Sequence, residues 1–136
     1  MKTKHLVLIA AFAALCLTAA AALPAVEKGY DDPAGLAKLI RDGKPAHVLV
    51  DVRTPAEYEA GHIPTAINIP VDVIGSRLPA IAKDTLIVVY CRSGNRSTTA
   101  SKILMDLGYT NVVDFGAVSK WEGALVTGAE PGKAPK

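Results

Sequence analysis

Apolar positions change period several times along the chain, and the changes outline its elements. Leu86-Ile87-Val88-Val89-Tyr90 is an unbroken apolar segment about the length of one buried strand. Ser97-Thr98-Thr99 follows as a polar start, and Ala100, Ile103, Leu104 and Leu107 then recur at the spacing of one helix face. Gly108 stands where a helix C′ glycine belongs. Upstream, Asp32-Pro33 reads as N-cap and first helical residue, with Leu36, Leu39 and Ile40 on the inner face and an end near Asp42-Gly43. Lys28-Gly29-Tyr30 reads as a short edge strand, and His47 to Val52 as a buried one. Thr54-Pro55-Ala56-Glu57 has the form of a capping box and opens a short helix that stops at Gly61. Ala66 to Ile69 is a short strand closed by Pro70, and Val73 to Ile81 reads as a helix with Ile74, Leu78 and Ile81 inward. Asn111 to Phe115 is the last strand, and Ala117 to Leu125 a final helix carrying Trp121. The tail over 127–136 is rich in Gly, Pro and Lys and is expected to be loose.

Five strands alternating with helical stretches predict an α/β domain of three layers. Its centre is a mainly parallel five-stranded sheet with helices on both faces. Right-handed crossovers then bring the loops that follow the strands to one edge of the sheet.

The first residues stand outside this pattern. Met1-Lys2-Thr3-Lys4-His5 is a basic start, Leu6 to Leu17 an apolar run, and Thr18 to Ala22 a small, alanine-rich end. That is the form of a secretory signal peptide over residues 1–22, cleaved near 22–25, and it predicts a periplasmic or secreted protein. An uncleaved anchor would need an apolar core nearer ~20 residues. Cys16 invites a lipoprotein reading, but Leu15 stands where a small residue belongs. Losing Lys2 and Lys4 takes the 15 basic residues to 13, equal to the 13 acidic ones. A neutral mature chain has no basic excess to attract nucleic acid or an acidic membrane, so neither is expected as a partner. What remains, residues 28–126 before the tail, suits one small domain with one core.

Of the two cysteines, Cys16 leaves with the signal, so the exported chain holds Cys91 alone. A lone thiol in an oxidising compartment has no intramolecular disulfide partner and is best understood as one with chemistry to do. Its setting is specific. Cys91 closes the apolar strand, and Arg92-Ser93-Gly94-Asn95-Arg96-Ser97 leads into the next helix. Ligands of open parallel sheets bind at the carboxyl ends of strands, and a helix N-terminus offers unpaired N–H groups and the positive end of its dipole. Ser93, Gly94 and Asn95 are small or permissive enough for the loop to curl its N–H groups inward. Arg92 and Arg96 add positive charge. The expected object is a thiolate in an anion-binding cradle; the alternative is a buried structural cysteine, which requires neither arginines nor glycine.

Asp51, Arg53, Glu57 and His62 lie close in sequence. They read either as an acid/base set acting on Cys91 or as an ion-pair brace for the turn after the second strand. The brace is favoured, because Arg53 suits a bidentate carboxylate and Glu57 is already explained by capping. His62, between Gly61 and Ile63, reads as a turn residue. After loss of the signal segment, one cysteine and two scattered histidines make no metal-ligand spacing, and no glycine-rich nucleotide loop is present.

Three segments carry a family likeness. Asp51-Val52-Arg53, Glu57-Tyr58 and Gly61-His62-Ile63 with Ala66, Asn68, Ile69 and Pro70 resemble the N-terminal motif of the single-domain rhodaneses. Val88 to Ser97 resembles their active-site loop, and Leu107-Gly108-Tyr109, Val112, Gly116 and Trp121 their C-terminal pattern, with Gly116-Ala117 where a glycine pair is common. The exported single-domain format resembles the periplasmic, phage-shock type. The resemblance implies a thiosulfate sulfurtransferase. Cys91 takes a sulfane sulfur from thiosulfate, or from a related persulfide donor, and passes it to cyanide or a thiol. Residues 92–97 bind the donor and no cofactor is implied. Two other readings follow from the same fold. A non-enzymatic persulfide carrier or partner-binding domain is one. A phosphatase or arsenate reductase is the other, disfavoured by a Cys91-x4-Arg96 loop one residue shorter than in similar cell-cycle phosphatases.

Overall fold

The computed structural model describes residues 29–136. The signal segment read from residues 1–22 lies outside them. Helix α1 (Pro33–Asp42) starts on Asp32, whose side chain accepts from the Ala34 and Gly35 N–H groups, and ends on Gly43 in the left-handed conformation. Strand β1 (His47–Asp51), helix α2 (Pro55–Ala60) and the two-residue strand β2 (Ile67–Asn68) follow. A 3-10 turn (Val71–Val73) runs into the short helix α3 (Ile74–Arg77). Strand β3 (Leu86–Cys91), helix α4 (Asn95–Asp106) and strand β4 (Val112–Ala117) complete the core, with a last 3-10 turn at Val118–Lys120.

The sheet is parallel throughout, in the order β2-β1-β3-β4. Period-two alternation along the strands feeds two cores. Leu49, Leu86, Val88, Tyr90, Val113 and Phe115 face α1 and α2, while Val50, Ile87, Val89 and Cys91 face α3 and α4. The three-layer α/β expectation therefore holds, with four strands rather than five. Residues 29 and 30 form a turn instead of an edge strand. Gly29 has φ +125°, and its carbonyl lies where a Cβ on Gly35 would stand, so the segment is folded tightly onto α1.

Three further elements differ from the expected pattern. The helix expected over residues 73–81 ends at Arg77, because Pro79 forces Leu78 out of the helical region (ψ 136°). The apolar positions beyond it still serve the core: Leu78 and Ile81 pack on the Cys91-side cluster. The final helix is reduced to the 3-10 turn. The chain instead wraps Trp121, whose indole Nε1–H donates to the Ala124 carbonyl (3.2 Å) and whose ring fills the space above Gly123. The segment from residue 127 onward, expected to be loose, is held at several points. Val126 pairs with His62 through two backbone bonds of 2.9 Å, Gly128 N–H donates to the Glu59 carbonyl, and Thr65 N–H donates to the Pro131 carbonyl. Among the described residues no helix is long and apolar enough to cross a membrane.

Candidate active site

Strand β3 is buried along its whole length and delivers Cys91 to the carboxyl edge of the sheet. The chain then turns through Arg92 and Ser93 to Gly94, the residue before α4. Gly94 has φ +104° and ψ −24°, a region that side chains rarely enter, and a Cβ there would meet nothing within 4 Å. The glycine is required by the backbone, not by crowding. Its conformation points the Gly94 N–H at the Cys91 sulfur, 3.0 Å away. Ser97, one turn into α4, places Oγ 3.6 Å from Sγ and 2.9 Å from the Gly94 carbonyl; its hydroxyl donates to the carbonyl while the thiol is protonated and turns to the sulfur when the thiolate forms. Burial pushes the Cys91 thiol up, but the Ser97 side chain and the N–H groups of Ser97, Gly94 and Ser93 outweigh it. The net shift is below the ordinary thiol value. The loop is thus built to hold a negative charge on sulfur.

The two arginines have different employments. Arg92 is exposed and makes no hydrogen bond or ion pair with any described residue. Arg96 is committed: its two terminal nitrogens donate to both oxygens of Glu57, at 2.8 and 2.9 Å. Glu57 accepts in addition from the Thr54 N–H (2.9 Å) and hydroxyl (3.0 Å), closing the capping box of α2. Arg96 first, and then the Thr54 N–H, lower the Glu57 carboxyl to about 2 from an ordinary 4.5. One carboxylate therefore ties the start of α2 to the start of α4. Arg96 is a strut of the loop, and the free cation at its rim is Arg92.

Asp51 and Arg53 form a separate ion pair, and His62 follows the Gly61 carbonyl that the pair holds. Arg53 Nε and Nη2 donate to the Asp51 carboxylate at 2.6–3.0 Å, and Nη2 also reaches the Gly61 carbonyl at 2.7 Å. The Ile63 N–H donates to the Tyr90 hydroxyl at 3.0 Å, and burial holds that phenol far above its usual range, with the nearby Asp51 charge adding to it. His62 stacks on Tyr58 with ring centroids 3.7 Å apart. Its nitrogens face the carbonyls of Tyr58 (2.8 Å) and Glu130 (2.9 Å). Asp51 is in register with Tyr90, and successive residues of a strand point to opposite faces, so this network lies across the sheet from Cys91. It braces the loop between β1 and β2 and has no route to the sulfur as acid or base.

Of the residues singled out in the sequence, the structure thus brings together Cys91, the N–H groups of Ser93 and Gly94, and Ser97. Arg92 stands at the rim. Asn95 and Arg96 line an adjoining cleft of about 320 Å³ with Val71, Asp72, Thr99 and Ile103. Two supporting residues had no local signal. Tyr90 reads as one more apolar strand residue. The Asn68 side-chain amide donates to the carbonyls of Asp51 (3.0 Å) and Arg53 (2.9 Å), closing the β1–β2 edge across 15 and 17 residues of sequence. Among the described residues no group of three or more His, Cys, Asp or Glu is placed to hold a metal ion.

The family model of the Rhodanese-like domain matches residues 32–124. A sulfurtransferase of Allochromatium vinosum is 45% identical over 75 residues, 54% of this chain and 70% of that protein. A putative mitochondrial thiosulfate sulfurtransferase of Schizosaccharomyces pombe is 41% identical over 97 residues, 61% of this chain and 68% of that protein. Among solved structures, a rhodanese with anions from E. coli superposes with a TM-score of 0.58 at 34% identity, covering 61% of this chain and all of that one.

Proposed function

This chain belongs to the rhodanese-like domain family, and from that premise we propose that it is a sulfurtransferase whose donor is thiosulfate or a related persulfide. The observation that carries the reading is the convergence of the Gly94 N–H and Ser97 Oγ on a buried thiol at the head of α4. In the first step the Cys91 thiolate attacks the outer sulfur of thiosulfate. The sulfur–sulfur bond breaks, its electron pair leaves with sulfite, and the cysteine keeps one sulfur as an anionic persulfide. The N–H groups of Ser93, Gly94 and Ser97 that favour the thiolate suit this intermediate equally, since the charge stays within the same loop. Arg92, free and exposed, meets the incoming dianion. In the second step an acceptor, cyanide or a thiol, attacks the outer sulfur and returns the electron pair of the breaking bond to Cys91.

Neither step invokes a cofactor, because the chain itself carries the sulfur. The basic, apolar and alanine-rich run over residues 1–22 supports export to the periplasm or beyond. N-terminal sequencing of the protein from its native host is expected to begin near Leu23 or Val26, and an intact Met1 on envelope-bound protein overturns that placement. The reaction is tested by comparing thiosulfate:cyanide turnover with hydrolysis of an aryl phosphate. Thiocyanate formation without phosphate release is expected. Phosphate release alone makes the protein a hydrolase.

A further inference from the structure

The cleft beside the cradle has its own charge pattern. One wall is α4, where residues 95, 96, 99 and 103 share a face at helical spacing, and the other is the 3-10 turn after β2. Val71 and Ile103 pack on the same apolar cluster as Cys91, so the cleft opens on the face of the sheet that carries the thiol. Two formally charged side chains line it. Arg96 is neutralised by its bidentate pairing with Glu57. Asp72 is exposed and makes no hydrogen bond or ion pair with any described residue. The cleft therefore presents one uncompensated negative charge beside a cradle that favours anions. An anionic donor is repelled by Asp72 and drawn to the N–H groups and Arg92. The cleft suits the other reactant.

We propose that this cleft is the acceptor site of the sulfur-transfer reaction and that it selects small thiols carrying an ammonium group; the proposal rests on the reading of Cys91 as the persulfide-bearing residue. Asp72 takes the ammonium, and its neighbour Val71 supplies the apolar surface for the carbon chain between ammonium and sulfur. The acceptor thiolate attacks the outer sulfur of the persulfide. The bond from that sulfur to Cys91 Sγ breaks, its electron pair returns to Sγ, and the acceptor leaves as a persulfide. The step balances with no external oxidant or reductant.

The test uses sulfur-loaded full-length protein and three acceptors of different charge: cysteamine, 2-mercaptoethanol and 3-mercaptopropionate. Rates are compared at equal thiolate concentration, each relative to cyanide, which is too small to depend on the cleft. Wild type is expected to prefer cysteamine, then mercaptoethanol, then mercaptopropionate, in steps of roughly two- to fivefold, as one exposed ion pair supplies. Asp72→Asn, and raised salt, should flatten the series. A series already flat in wild type, or unchanged in Asp72→Asn, overturns the proposal. A second measurement needs no sulfur loading: S-methylcysteamine, which cannot react, should shift the amide signals of Val71, Asp72, Asn95 and Thr99 in wild type and not in Asp72→Asn. No shift in wild type overturns the proposal. A protein that accepts no sulfur from any donor but gives these shifts keeps the cleft's ligand class and loses the sulfurtransferase reading.

Discussion

Replacing Arg53 by alanine strands a buried carboxylate. The Asp51 side chain is wholly buried and that of Arg53 is 8% exposed, so neither charge has water as an alternative partner. The substitution removes three hydrogen bonds to Asp51 and one to the Gly61 carbonyl. Breaking a buried pair by removing one partner costs about 3–5 kcal/mol. Against a total stability of roughly 5–15 kcal/mol that is a large share. For a domain near 100 residues each kcal/mol is about 4–8 °C in Tm, so a fall of at least ~12 °C is expected. Urea unfolding measures the loss, and sulfur uptake is measured separately at low temperature, where the variant is still folded. Uptake should persist, because the pair lies across the sheet from the sulfur. Asp51→Ala/Arg53→Ala should lose less than the sum of the single variants by ~1 kcal/mol or more, since it leaves no lone buried charge. An Arg53→Ala protein within ~1 kcal/mol of wild type that takes up no sulfur would make the pair part of the chemistry and not a brace.

Three further outcomes follow from the loop. Ser97→Ala removes the side-chain hydrogen bond that most lowers the Cys91 thiol, so the pH profile of iodoacetamide alkylation should move to the alkaline side of wild type. Gly94→Ala has space for its methyl group but not the backbone for it (φ +104°). It should cost about 1–2 kcal/mol in unfolding and slow sulfur uptake as its N–H leaves the sulfur. Glu57 has a folded pKa of about 2, depressed from 4.5, so its contribution to stability is complete above pH 4.5 and is lost as pH falls toward 2. The stability gap between wild type and Glu57→Gln should shrink across that window; a gap that stays constant there would refute the Arg96–Glu57 tie.

What could be read in the sequence was mostly local. Asp32-Pro33, the Thr54–Glu57 box and the strand before Cys91 are written within a few residues, and the structure has each of them. Contacts across long separations were not readable. The capping box accounts for Glu57 locally and gives no sign of its pairing with Arg96, 39 residues away. The face of α4 shows how period alone misleads. The apolar spacing pointed inward through Ile103 and Leu107, yet Leu107 is 45% exposed and the buried stripe runs through Ser97, Ala100, Ser101 and Leu104. Helix and strand pack closely there, so small serines occupy the interface, and Ser97 is drawn in by the sulfur. A turn replaces the expected final helix for a similar reason: Trp121 is covered by the chain that follows it, and Gly123 makes room for its ring.

Cys91 is expected to accept one sulfur atom into the loop that ends on Ser97. The most direct test is the intact mass of the protein after thiosulfate treatment, read with and without cyanide. Wild type is expected to gain the mass of one sulfur, to resist alkylation at Cys91 while loaded, and to return to its starting mass when cyanide is added; Cys91→Ser should stay unchanged throughout. A wild-type protein that gains no sulfur, and whose Cys91 alkylates with the pH profile of an ordinary thiol, is not a sulfurtransferase acting through Cys91.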